Sequence, residues 1–319
     1  MIRNPSPLGT FLGRALRTCL LSVFSVACNA HACHSSADDF NLEEVAPGVF
    51  VHQGRHVGID DATRGDSANI GFVVGKDCVA VIDTGGSLAT GQALRAQIKS
   101  RTHTPICFVI NTHAHFDHVL GNAAFVGDHP QFVGHANLAA VLAASREYFL
   151  ERFGVELQGA PAPQIIVPNL AVVADLALDL GARSLRLVAH PLAHSTADLT
   201  VLDLATRTLW AGDLLFVERL PVLDGQLKGW QDWMDKAAGE TYARVIPGHG
   251  PRVVRWPAAL GAQQRYLTSL SATVATALQK GTFLEEVMAA GVYANLDEWQ
   301  VPGAHARNLS KVYREMEWQ

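Results

Sequence analysis

Four side chains able to bind a metal ion fall within six consecutive positions, His113, His115, Asp117 and His118, inside the stretch Asn111-Thr112-His113-Ala114-His115-Phe116-Asp117-His118. Imidazole and carboxylate are the natural ligands of zinc and similar divalent ions. Side chains alternate along an extended segment, so His113 and His115 point to one side and can pinch a single ion. Asp117 and His118 follow where the chain turns, and can face a second ion a few ångströms away. Two ions need more than four protein ligands, and later segments offer three more: His194 in Ala193-His194-Ser195-Thr196, Asp213 in Ala211-Gly212-Asp213, and His249 in Pro247-Gly248-His249-Gly250. Asp213 is suited to bridge two ions with its carboxylate.

These residues must be carried by elements that end at one edge. Runs rich in β-branched and aromatic residues predict strands over 49–52, 70–74, 79–82, 106–110 and 132–133, then over 171–174, 184–189, 198–203, 208–211 and 243–246. Helices are expected over 88–100, 136–153 and 230–238, and from about Pro257 onward over 263–278, 283–290 and 307–317. Every candidate ligand then sits where a strand gives way to a loop, with Asp213 closing a hairpin. Strands and helices in two similar halves point to an α/β fold of two sheets packed face to face with helices outside.

The remaining composition narrows the function classes. A net charge of -5, from 25 basic and 30 acidic residues without long runs of either sign, gives no reason to expect nucleic acid as a partner. Residues 1–32 combine Arg3, Arg14 and Arg17, the apolar run Cys19 to Cys28, and Ala30-His31-Ala32, which reads as a signal peptide of an exported, periplasmic protein. That run is too short for a membrane span, so none is expected after its removal. A lipid anchor at Cys28 or Cys33 is the alternative. No C-x-x-C pair occurs. Cys78 and Cys107 read as small buried hydrophobes, or as a disulfide if their strands are neighbours in an oxidising compartment.

Taken together, Asp83, the His113-x-His115-x-Asp117-His118 segment, His194, Asp213 and His249 resemble the metallo-β-lactamase superfamily across about residues 45 to 255. The resemblance implies a four-layer αβ/βα sandwich as the catalytic domain, with 256–319 as a C-terminal helical extension. It implies one site of His113, His115 and His194, a second of Asp117, His118 and His249, and Asp213 as the bridge, holding two zinc ions, or iron or manganese. Within the superfamily the pattern is similar to glyoxalase II-like hydrolases. Zinc-dependent lactamases typically lack the bridging aspartate, and no cysteine follows Cys107 to supply the alternative ligand. The segments Glu218 to Gly225 and Asn308 to Glu315, with the export signal, look like the exported quinoprotein relay system zinc metallohydrolases and SoxH-type proteins, which links the chain to a periplasmic quinoprotein system.

The function so implied is hydrolysis of an ester, thioester or related acyl bond of a small molecule by a metal-bridging hydroxide. A metal can lower the pKa of bound water from about 15.7 to about 7. Asp117 is expected to act catalytically by orienting the nucleophile's hydrogen. Ligand histidines need acceptors that fix their tautomers. Asp83 and Asp198 are candidates, Asp83 equally as a turn former and Asp198 equally as a cap. His190 competes with His194, but only His194 matches the family motif. Phe216 to Trp230 reads either as a substrate-facing loop or as a connection packed by Leu220, Leu223 and Trp230. The rival functions are a mononuclear iron persulfide dioxygenase-like oxidoreductase, a β-lactamase, and a non-catalytic periplasmic accessory protein.

Overall fold

The computed structural model describes residues 40–162, 164–290 and 296–318. The expected signal segment and both candidate anchor cysteines lie outside the described residues. Strands β1 (Leu42–Ala46), β2 (Val49–His52), β3 (Ile70–Val74), β4 (Val79–Ile82), β5 (Ile106–Ile110), β6 (Gln131–His135) and β7 (Leu170–Val172) form one sheet in that spatial order. Pairing is antiparallel from β1 to β4 and parallel from β4 to β7. A second sheet holds β8 (Asp175–Asp179), β9 (Ser184–His190), β10 (Asp198–Asp203), β11 (Thr208–Phe216) and β12 (Arg244–His249), in the order β12-β11-β10-β9-β8. Only β11 and β12 run parallel there.

The sheets face each other through one apolar layer. Val49, Ile82, Ile110 and Val133 from the first meet Leu187, Val201, Trp210 and Ile246 from the second. Gly71 admits the Trp210 ring: a Cβ there would lie 2.6 Å from that ring and 2.0 Å from the Phe50 carbonyl. Helix α1 (Leu88–Arg101) covers the outer face of the first sheet, setting Leu94 and Ile98 against Phe72, Val81 and Val109. Its N-cap is Ser87, whose hydroxyl accepts from the Thr90 amide. Helices α5 (Leu227–Ala238), α6 (Leu260–Lys280) and α8 (His305–Glu317) cover the second, through Trp230, Met234, Leu267 and Val312. The layers are helix, sheet, sheet, helix. The C-terminal helices, with short α7 (Leu284–Ala289), thus share one core with β11 and α5. Each such large apolar side chain, fully buried, contributes about 1.5–3 kcal/mol.

Three expectations change. The helix read over 136–153 is two, α3 (Leu138–Ala144) and α4 (Arg146–Arg152), parted at Ser145. Strand β11 does not stop at Ala211 but runs to Phe216 with every residue buried, so Asp213 lies within a strand and not at a hairpin end. Gly212 explains the misreading: at φ 54° it makes a bulge, not a turn, and the ladder with β12 shifts register around it. β1 and β8, which carry too many acidic residues to read as buried runs, were not expected.

Cys78 and Cys107 are joined by a disulfide with their Cα atoms 5.6 Å apart. It ties the leading ends of the parallel neighbours β4 and β5. No helix among the described residues is long and apolar enough to cross a membrane.

Candidate metal centre

The segment 111–118 leaves the end of β5 and is fastened before any ligand is presented. Asn111 donates from Nδ2 to the His118 carbonyl at 3.1 Å and accepts from Asn122 Nδ2 at 2.8 Å, while Thr84 Oγ1 donates to Asn122 Oδ1 at 2.8 Å. The chain then turns at His115 into the short helix α2 (Phe116–Val119), which carries Asp117 and His118. Asp83, at the end of β4, adopts φ 54°, a left-handed conformation that aspartate tolerates better than most residues. Its Oδ1 accepts from the Thr112 amide at 2.8 Å, and its Oδ2 from Thr112 Oγ1 at 2.7 Å and from His118 Nδ1 at 2.8 Å. It is at once the turn former and the acceptor.

The other donors come from the second sheet. His194 sits in the β9–β10 connection, its carbonyl accepting the amides of Asp224 and Gly225 at 2.9 and 2.7 Å. The Gly212 bulge lets Thr112 approach, since a Cβ there would lie 2.8 Å from the Thr112 Cβ. Gly248 leaves room for the Asp213 carboxylate, as a Cβ would fall 1.9 Å from its Oδ1. His249 ends β12, next to a backbone held by Asn69 Nδ2 on the Pro247 carbonyl at 2.9 Å.

All seven candidate ligands are brought together in two groups, His113, His115, His194 and Asp213 in one and Asp117, His118 and His249 in the other. In the first, His115 Nδ1 lies 3.0 Å from His113 Nε2 and 3.1 Å from His194 Nε2, while Asp213 Oδ2 is 3.6 Å from each of those Nε2 atoms. These spacings bracket about 3.3 Å, the edge of a tetrahedron with zinc-to-nitrogen arms of about 2.05 Å. In the second, His249 Nε2 stands 3.6 Å from Asp117 Oδ2, and His118 Nε2 4.0 Å from Asp117 Oδ1. Although Asp213 groups with the first set, its Oδ1 is 3.2 Å from His118 Nε2 and its Oδ2 3.2 Å from His249 Nε2. Its carboxylate therefore faces both.

The outward ring nitrogens decide which way the lone pairs point. His115 Nε2 donates to Asp224 Oδ2 at 2.6 Å, His194 Nδ1 to the Val222 carbonyl at 2.7 Å, His249 Nδ1 to the Ser67 carbonyl at 2.8 Å and His118 Nδ1 to Asp83. Thr112 Oγ1, having given its proton to Asp83, accepts from His113 Nδ1 at 3.1 Å. In the neutral rings that these bonds orient, every inward nitrogen is a bare acceptor, the form a metal needs. Bare lone pairs converging in a buried site repel one another unless a cation lies between them.

The electrostatics divide the imidazoles. Burial, then the His118 charge, holds His113 well below the usual imidazole range, and burial pushes His194 down to about 4. Burial would also lower His118 and His115, but Asp213 and Asp83 lift His118 well above that range and Asp224 lifts His115, so the carboxylates here favour a positive charge, which a proton or a metal ion supplies. Burial opposes ionisation of Asp213 and Asp117, yet the surrounding imidazoles hold Asp213 well below the carboxylate range and, with Arg219, hold Asp117 lowered. His118 Nε2 and Asp213 Oδ1 are both buried without a hydrogen-bond partner. Two ionised carboxylates, orphaned polar atoms and bare imidazole nitrogens together fit a dinuclear metal site.

Other candidates lie elsewhere. His190 Nε2 pairs with Thr200 Oγ1 at 3.0 Å, outside the cluster. Asp198, opposite His190 in the β9–β10 ladder, takes the Ser195 amide at 2.8 Å and hydroxyl at 2.6 Å, so it closes the His194 turn. Burial pushes its carboxyl up to about 7 despite those bonds. Asp224, the acceptor for His115, escaped sequence reading, as did Ser67, whose Oγ donates to Asp117 Oδ2 at 2.7 Å. Arg307 of α8 pairs with the other oxygen of Asp224.

A cavity of about 1100 Å³ opens over the cluster and reaches His115, Asp117, Asp213 and His249. In the connection after β11, Leu220, Leu223 and Trp230 are buried as packing residues, yet Arg219, Leu220, Val222 and Asp224 also line the cavity, so both readings of it hold.

Comparison with known proteins follows the same outline. A metallo-beta-lactamase from Pontibacter korlensis superposes with a TM-score of 0.57 at 19% identity, covering 72% of this chain and 98% of its own. The inverting sec-alkylsulfatase Pisa1 from Pseudomonas sp. superposes with a TM-score of 0.60 at 19% identity, covering 86% of this chain and 50% of its own. At such identities the likeness concerns the fold alone. No curated protein sequence matches. The family model of the metallo-beta-lactamase superfamily, however, matches residues 63–249, most of the chain and every ligand candidate, and to that superfamily the chain belongs.

Proposed function

We propose that the protein is an exported dinuclear metal-dependent hydrolase of the glyoxalase II-like branch, cleaving an ester, thioester or related acyl bond, in the group of the quinoprotein relay system zinc metallohydrolases. The observation that carries this reading is the Asp213 carboxylate shared between the two donor groups. It favours two ions over one, and therefore hydrolysis over single-iron oxygen chemistry. Export is supported by the signal-like first 32 residues and by the Cys78–Cys107 disulfide, a bond that persists in oxidising compartments.

His113, His115, His194 and Asp213 would hold one ion, and Asp117, His118, His249 and Asp213 the other. Zinc bound there would supply a lowered pKa for water, to about 7, and Lewis acidity toward the substrate carbonyl. The protein's own part is placement. Ser67 holds Asp117 Oδ2, and Asp117, which lines the cavity, would accept the attacking water's hydrogen and aim its lone pair. Apolar walls limit bulk water around the reacting bond.

Metal analysis of protein purified without added metal, followed by an ester, thioester and lactam panel, tests the reading. We expect two divalent ions per chain, turnover of an acyl substrate, and loss of that turnover in D117N with its fold retained. One iron per chain with oxygen consumption on a persulfide would overturn it. A zinc-loaded protein that hydrolyses nothing in the panel would favour a periplasmic accessory role.

A further inference from the structure

The cavity contains a cation that the metal chemistry leaves unused. Arg219 is only 9% exposed, its Nη1 is buried without a hydrogen-bond partner, and no carboxylate pairs with its guanidinium among the described residues. A buried guanidinium without a partner is costly, and proteins ordinarily pair it. Its backbone is pinned. The Arg219 amide donates to the Val217 carbonyl at 2.8 Å, and Gln300 bonds on both sides of it, to the Glu218 carbonyl at 2.7 Å and from the Leu220 amide at 3.0 Å. The side chain lines the same cavity as Asp117 and His249, and its charge acts on Asp117.

The opposite character lines the other wall. Ile59 and Tyr148, both exposed apolar side chains, open onto this cavity beside Val141 and Phe149. The rim carboxylates are already engaged: Asp60 pairs with Arg152, and Asp61 accepts from the Thr63 amide and hydroxyl at 2.7 Å.

We propose that the cavity takes an amphipathic acyl substrate bearing an organic oxyanion, which docks on Arg219 while its apolar arm lies along Ile59, Val141, Tyr148 and Phe149. This rests on the acyl-hydrolase reading and deepens it. A guanidinium offers a planar fork of donors that matches an oxyanion, and the desolvated site strengthens the pairing. The substrate then gives this guanidinium the counter-charge that no carboxylate among the described residues supplies.

Binding can be read without turnover. Calorimetric titration of the zinc-loaded protein with octanesulfonate, a weak metal ligand, is compared with the neutral methyl octyl sulfone, in wild type and R219Q. We expect wild type to prefer the sulfonate by about tenfold or more, and R219Q to lose that preference. No preference in wild type, or one that R219Q keeps, overturns the proposal. A variant that binds zinc more weakly but keeps the sulfonate preference also overturns it, because Arg219 would then serve the charge of the metal site. Should R219Q not fold, R219K carries the test: a preference reduced about threefold is expected for a point charge replacing the fork, and an unchanged one overturns the proposal. If the protein hydrolyses no acyl compound but the preference is seen, the hydrolase reading fails and the anion subsite stands.

Discussion

At the scale of the residue, the centre works by fixing lone pairs, and each imidazole depends on an oxygen behind it. Asp224 is the most telling of these, because it holds His115 Nε2 at 2.6 Å from a position 109 residues away. Its carboxyl is held below the usual range, against burial, by His115 and then Arg307. Replacing Asp224 by alanine frees the His115 ring to turn and to take the other tautomer. Metal affinity should fall about 10- to 100-fold, measured by competition with a chromophoric chelator. An unchanged affinity would mean that packing alone orients the ring. The candidate donors that the fold brings together could be picked out in the sequence because four crowd into one segment and His194 and His249 follow or end strand-like runs. Asp224 could not, since nothing near it in sequence announces a partner that only folding supplies.

Among the elements, those with simple patterns are readable to the residue: β2, β3, β4, β5 and β10 have the bounds expected from their apolar cores and the turn residues around them. β1, Leu-Glu-Glu-Val-Ala, and β8, Asp-Leu-Ala-Leu-Asp, were not, because an outer strand can carry acids on its open face. β11 was cut short because Gly212 signals a turn in isolation and makes a bulge in context, where the neighbouring Thr112 decides. The disulfide depends on the same tertiary fact, that β4 and β5 are neighbours. It closes a loop of 29 residues, so removing it in C78A/C107A should cost roughly 3–4 kcal/mol by loop entropy, visible as a lower denaturation midpoint. Activity should persist, because the bond ties the strand ends opposite the metal centre, roughly 15 Å away at about 3.3 Å per residue. A loss of activity in the folded variant would show that the strand ends are coupled.

For the whole molecule, the donors divide between the sheets: β5 and α2 contribute from one, and the β9–β10 turn, β11 and β12 from the other. Any ion held there ties both sheets together and binds only the folded chain. Chelation should therefore lower the melting temperature. Metal at 100 times its dissociation constant adds about 2.7 kcal/mol, on the order of 4–5 °C for a domain of this size. Calorimetric scans with and without chelator check this, and coincident melts would show that the groups hold no metal in solution.

The contact of Arg307 with Asp224 reaches further than one ion pair. Helix α8 supplies none of the seven candidate ligands, yet Arg307 on it pairs with Asp224, which in turn bonds His115, so its seating bears on how one imidazole is aimed. The tail is thus a tuning dial for the metal's grip: a change anywhere along α8 that shifts Arg307 can retune the centre while every ligand stays the same.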